Sequence, residues 1–123
     1  MTEKTILIVE DSELNRRLLE AVLQPHGYRL LTAEDGETGV TLARTERPDL
    51  ILMDVLLPGI DGYEATRQLR AESETRDLVI VALTATAAPE EQDHALAAGC
   101  DGYIAKPIDT RAFPQRIRQF LTD

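Results

Sequence analysis

The stretch Pro48-Asp49-Leu50-Ile51-Leu52-Met53-Asp54-Val55-Leu56-Leu57-Pro58-Gly59-Ile60-Asp61-Gly62 holds an apolar run that stops at a carboxylate and then a loop of turn-forming residues. Leu50 to Met53 shows no polar alternation, which is the pattern of a strand covered on both faces. The proline and two glycines beyond Asp54 favour tight, irregular backbone. Tyr63 to Ala71 then reads as a helix. Strand, terminal acid, loop and helix make one βα unit, and the same unit recurs on either side of it.

Upstream, Thr5 to Val9 is a second doubly covered strand, followed by Glu10 and Asp11. Ser12 offers an N-cap, and Leu14, Leu18, Leu19, Val22 and Leu23 fall at helical spacing until Gln24-Pro25-His26-Gly27 ends the element. Tyr28 to Ala33 is a strand, and Asp35 caps a helix that stops near Arg47-Pro48. Downstream, Leu78 to Leu83 is the fourth strand and Thr84 follows it. Pro89 suits the first turn of a helix whose Glu90, Glu91 and Asp93 favour its positive end, and Gly99 suits its stop. Gly102 to Ala105 is a short fifth strand before Lys106, and the last helix runs from about Thr110 to Leu121.

Strict alternation of strands and helices predicts an α/β fold, a doubly wound parallel five-stranded (βα)5 sheet with right-handed crossovers. The flavodoxin-like order 2-1-3-4-5 is the expectation for five strands, with strands one and three side by side at the switch point. All strand C-termini then open on one edge. Glu10, Asp11, Asp54, Thr84 and Lys106, distant in sequence, converge there. Like charges gathered in a partly desolvated cleft repel by several kcal/mol unless a cation joins them, so the group points to a divalent cation and a phosphoryl group.

We read residues 1–123 as one domain, since no glycine- or serine-rich stretch divides them. A net charge of -9 argues against nucleic acid as a direct partner. The apolar runs are too short to span a bilayer and the N-terminus lacks a secretory layout, so no membrane association and a cytoplasmic location are expected. Cys100, the sole cysteine, excludes an intramolecular disulfide and reads as a small residue at a helix-to-strand junction. His26 and His94 read as surface residues.

The stretches ILIVEDSELN, PDLILMDVLLPGIDG, VIVALTATAAPEE and GCDGYIAKPID, in this order and spacing, resemble the receiver domain of two-component response regulators, of the stand-alone or hybrid-kinase type. The resemblance implies a phosphorelay role. Asp54 would be the phosphoacceptor, its carboxylate attacking a phosphoryl group carried on a partner's histidine. Asp11 and Asp54, with the backbone carbonyl of Leu56 and with Glu10 partly through water, would hold Mg²⁺ (or Mn²⁺), whose all-oxygen preference suits them. Lys106 would pair first with Asp54 and then with phosphoryl oxygen, and Thr84 would donate its hydroxyl to the same oxygens. A cis Lys106-Pro107 peptide is also implied.

Tyr103, three residues before Lys106, would point away from it and fill space vacated when Thr84 moves, which makes Thr84 and Tyr103 the expected switch pair. Leu56 and Thr86 flank the path of water to the phosphorus and offer no group to orient it, so slow loss of phosphate is expected. Asn15, Leu18 and Pro107 form the expected patch for a histidine kinase or histidine phosphotransfer protein. The face around Ala88 to Ala98, Tyr103 and the last helix is the expected surface for a downstream protein target, or for pairing two receivers as a homodimer. The domain would catalyse its own phosphorylation without being a turnover enzyme.

Taken singly, each residue has a plainer reading. Glu10 and Asp11 suit a helix start, Asp54 a loop cap, Thr84 a strand, Lys106 a wet surface, Leu56 a cleft cover and Tyr103 a packing role. Two other function classes share parts of the pattern. A haloacid dehalogenase-type phosphatase uses similar groups, but its Asp-x-Asp motif is absent where Glu10 and Asp11 are adjacent, and no room exists for a cap. A flavin electron carrier of this fold would want a hydroxyl-rich phosphate loop and aromatic walls, against 4% aromatics and no tryptophan here.

Overall fold

The computed structural model describes residues 3–121, so the outermost residues of the expected domain lie outside the described region. Its elements alternate as β1 (Thr5–Val9), α1 (Glu13–Leu23), β2 (Arg29–Ala33), α2 (Gly36–Glu46), β3 (Leu50–Asp54), α3 (Gly62–Ala71), β4 (Val79–Thr84), α4 (Pro89–Ala98), β5 (Gly102–Ala105) and α5 (Phe113–Leu121). A short 3-10 turn, Gln24–His26, closes α1. All strand pairs are parallel, in the order β2-β1-β3-β4-β5. Register sets Val9 beside Met53 and Asp54 beside Leu83, which brings the strand ends to a common edge.

Because successive strand residues face opposite ways, each strand feeds two cores. Leu7, Val9, Ile51, Met53, Ile80 and Ala82 face one side and pack with Val40 and Ala43 of α2, Ala65 and Leu69 of α3 and Ala95 of α4. Ile6, Ile8, Leu50, Leu52, Val81 and Leu83 face the other and meet Leu19 and Leu23 of α1 and Phe113 and Ile117 of α5. Full burial of one such large side chain stabilises by about 1.5–3 kcal/mol. The sheet is therefore a rigid platform on which the edge residues are mounted.

The helix starts are set by side chains. Ser12 accepts from the Asn15 amide, Asp35 from Thr38 and Asp61 from Glu64. α4 differs, having no side-chain cap and a proline in its first turn. Gly27, at φ 83, turns the chain into β2, so that strand starts at Arg29 instead of Tyr28. The start of α5 also differs from the sequence reading. Asp109 Oδ1 accepts from the amides of Arg111 and Ala112 at 3.0 and 3.3 Å, holding a turn that delays the helix from Thr110 to Phe113.

Candidate functional site

Asp54 is the last residue of β3, not the first of the loop, and the strand pins its backbone. Its side chain is nearly buried, with Oδ1 accepting from the Leu56 amide at 3.1 Å and Oδ2 from Lys106 Nζ at 3.1 Å. Glu10 is 1% exposed; its Oε1 accepts from Lys106 Nζ at 2.8 Å and its Oε2 from the Ser12 amide at 3.3 Å. Asp11 is exposed at the rim. One carboxylate oxygen from each of Glu10, Asp11 and Asp54 lies within 4.8 Å of the others. Three anions at that spacing, with a single ammonium among them, form an oxygen-lined site whose donor set fits a hard divalent cation.

Lys106 lies just past β5, where its amide bonds the Thr84 carbonyl at 2.6 Å, and the Lys106–Pro107 peptide is cis. Burial disfavours its ammonium, but the hydrogen bonds to Glu10 and Asp54 and their charges together outweigh that burial. The net effect raises the Lys106 pKa above its ordinary value. Its charge is thus secured for work at neutral pH.

Thr84, 1% exposed, ends β4 at the same edge. Its hydroxyl donates to the Thr86 carbonyl at 2.6 Å, and Thr86 Oγ1 accepts from the Ala88 amide at 3.1 Å. The β4–α4 connection is thus folded back on Thr84. Tyr103 is half-buried against the core on the α2, α3 and α4 side, and the Arg116 guanidinium donates to its carbonyl at 3.0 Å. Leu56 is 71% exposed, so its side chain stands at the mouth instead of sealing it. Asn15, Leu18 and Pro107 line, with Glu10, Leu19, Lys106 and Ile108, a pocket of about 110 Å³ that opens beside the acidic group. Leu14 and Leu18 add exposed apolar surface along α1.

The sequence reading missed several fastenings. Arg16 of α1 donates to the Glu10 carbonyl at 2.8 Å. Arg70 of α3 donates to the carbonyls of Gly99, Arg76 and Leu78 and to Asp101, at 2.6 to 2.9 Å, clamping the C-terminal end of α4 to the sheet. Near the other end of α4, the Tyr63 hydroxyl donates to Glu91 and the Tyr63 ring meets His94 edge-on. Burial, then the hydrogen bond and charge of Glu91, raise the Tyr63 pKa, keeping the phenol protonated as a donor. Arginine and tyrosine side chains signal such links in a sequence only weakly: the Tyr63–Glu91, Arg70–Gly99 and Arg70–Asp101 partners are 28 to 31 residues apart, and the short-range Arg16–Glu10 contact follows no helical or strand spacing.

Residues 6–118 match the response regulator receiver domain family. The chain belongs to that family. The receiver is 38% identical over 120 residues to the polar-differentiation response regulator DivK of Brucella anthropi, covering 98% of each chain. It superposes with TM-score 0.89 on the receiver domain of sensor histidine kinase PA1611 from Pseudomonas aeruginosa, solved with a magnesium ion in the active-site cleft, at 38% identity over 98% of both chains. The receiver of the Saccharomyces cerevisiae response regulator Ssk1, solved with the histidine phosphotransfer signalling protein Ypd1, gives TM-score 0.88 at 30% identity, over 96% of this chain and 88% of that one. This chain is thus a receiver of two-component signalling, with five parallel strands in the expected order. Among the described residues no helix is long and apolar enough to cross a membrane.

Proposed function

We propose that this receiver accepts a phosphoryl group on Asp54 from a partner phosphohistidine, in a Mg²⁺-dependent step, and thereby switches a protein-interaction surface. The observation that carries the reading is the buried Asp54 carboxylate, held by the Leu56 amide and Lys106 within a ring of acids. Asp54 Oδ2 is the nucleophile; it forms the new P–O bond as the histidine N–P bond breaks, and the phosphoryl group becomes an acyl phosphate. Lys106 releases Asp54 to follow phosphoryl oxygen.

Asp11, Asp54 and the Leu56 carbonyl would hold Mg²⁺ directly, and Glu10 would act through water. When bound, the ion supplies positive charge against the transferring group. The Thr84 hydroxyl would exchange the Thr86 carbonyl for phosphoryl oxygen, freeing the β4–α4 connection and the space that Tyr103 fills. Motion of α4 would fall at its N-terminal end, which lacks a side-chain cap and is held by the Tyr63–Glu91 hydrogen bond, while Arg70 fixes its C-terminal end.

The receiver whose structure holds Ypd1 supports a histidine phosphotransfer protein or histidine kinase as donor, meeting Asn15, Leu18 and Pro107. A downstream protein target, or a second copy, would read the α4 face. The protein would act in the cytoplasm and turn over no substrate of its own. Incubation with a phosphorylated histidine phosphotransfer protein tests the proposal: Phos-tag gels should show transfer to the wild type but not to Asp54→Asn, and transfer to both would refute it.

A further inference from the structure

Resting on that reading of the metal site, we infer that Arg16 is a positioning residue for divalent-cation binding. Glu10 lies one residue beyond the β1 ladder and Ser12 is the cap of α1, so Asp11 sits in a two-ended turn. Several hydrogen bonds knit that turn, including one from the Asn15 amide to Ser12 Oγ at 3.3 Å. The Arg16 amide donates to the Ser12 carbonyl at 2.9 Å, Arg16 Nη1 to the Glu10 carbonyl at 2.8 Å, and the Ser12 amide to Glu10 Oε2 at 3.3 Å. Arg16 meets the turn at both ends, its backbone through the ordinary first hydrogen bond of α1 and its guanidinium on the Glu10 carbonyl, and only the second is lost on substitution. The aim of the Asp11 carboxylate follows from the backbone of this turn, and a buried carbonyl deprived of its donor would pull the turn toward another partner.

Charge and position make opposite demands here. As a cation bonded to the backbone of the ligand-bearing turn, Arg16 would repel an incoming divalent ion, and its removal would tighten binding. As a clamp on the ligand-bearing turn it favours binding, and its removal weakens it. Outer partners of metal ligands commonly carry roughly 10- to 100-fold in affinity. The sign of the change therefore separates the two roles.

Mg²⁺ binding by isothermal titration calorimetry, and Mn²⁺ binding by loss of the free-ion electron paramagnetic resonance signal, would be compared for wild type, Arg16→Met, Arg16→Gln, Arg16→Lys and Asp11→Asn. Arg16→Met should bind roughly tenfold more weakly, and Arg16→Lys, which keeps a donor, should recover most of that loss. Acetyl phosphate labelling of Arg16→Met should return to the wild-type rate at saturating Mg²⁺, which a general structural defect would not allow. Should Arg16→Met fail to fold, Arg16→Gln carries the same expectation, because its amide ends about two bonds short of Arg16 Nη1 and brings no donor to the Glu10 carbonyl. Unchanged or tighter binding in the neutral variants overturns the inference alone; a wild type that binds neither ion overturns the metal reading with it.

Discussion

Gly62 opens α3 directly behind the phosphoacceptor, and its replacement by alanine tests how closely the helix is seated. A Cβ at this position would lie 2.2 Å from the Asp54 carbonyl oxygen and 2.8 Å from Val55 Cα. Carbon and oxygen approach comfortably only to about 3.3 Å, so roughly 1 Å of movement is required. Both obstacles are backbone atoms, and the Gly62 amide is itself bonded to the Val55 carbonyl at 3.1 Å, so no rotamer change relieves the overlap.

Overpacking of this kind costs about 1–3 kcal/mol, toward the top of that range where backbone must move. The lower entropy of the unfolded alanine chain offsets about 0.4–1 kcal/mol. A net loss of about 2 kcal/mol follows, or a fall in Tm of roughly 8 °C for a chain of this size. Urea and thermal denaturation followed by far-UV circular dichroism would measure it, since the chain has no tryptophan. Labelling by acetyl phosphate should slow as well, because the displaced carbonyl belongs to Asp54. Gly36→Ala is the control: its Cβ would meet Ile60 Cγ1 at 2.7 Å and the Ile60 carbonyl oxygen at 3.0 Å, smaller overlaps than those at Gly62, and should cost less. Gly62→Ala stability within about 0.5 kcal/mol of wild type would refute the reasoning.

Three further outcomes follow from the site. Lys106→Met leaves Glu10 and Asp54 buried without their cation and should destabilise by about 2 kcal/mol, below the 3–5 kcal/mol typical of fully buried pairs because Lys106 is partly exposed. Since the folded Lys106 pKa is raised, the wild type's advantage is whole below about pH 10 and is lost as pH rises through the folded value; urea denaturation that showed the advantage growing at high pH would contradict this. Leu56→Asn places an amide at the mouth of the cleft and should speed loss of the acyl phosphate roughly tenfold, the scale of one water-orienting hydrogen bond, with an unchanged decay rate counting against it. Tyr103→Ala should still be phosphorylated, but its partner affinity should lose the roughly 5- to 150-fold dependence on phosphorylation typical of such coupling; a retained dependence by calorimetry would remove Tyr103 from the switch.

Strand positions were legible because doubly covered parallel strands leave unbroken apolar runs such as Leu50 to Met53, ended by a polar residue, whereas the sheet order came from the usual arrangement of five-stranded doubly wound folds. That regularity also carried the site: Asp54, Thr84 and Lys106 needed only the rule that parallel strands share one open edge. Boundaries blurred where local side chains intervene, as when Asp109 delays α5, or where Asp54 and Thr84 extend their strands by one residue through ladder pairing. Least legible were the arginine and tyrosine fastenings. The Arg16, Arg70 and Tyr63 contacts carry no periodic signal, and the partners of Arg70 at Gly99 and Asp101 and of Tyr63 at Glu91 meet them only once the fold has closed. The orientation of the Thr84 hydroxyl toward Thr86 likewise depends on loop geometry that periodicity does not encode.

The central claim is that the acids gathered at the sheet edge let Asp54 take a phosphoryl group with a divalent ion's help. Intact mass spectrometry after incubation with acetyl phosphate tests it most directly. The wild type should gain one alkali-labile phosphoryl mass with Mg²⁺ present and none in chelator, while Asp54→Asn gains none. A wild type that stays unmodified with Mg²⁺, or an Asp54→Asn variant that is labelled equally, would contradict it.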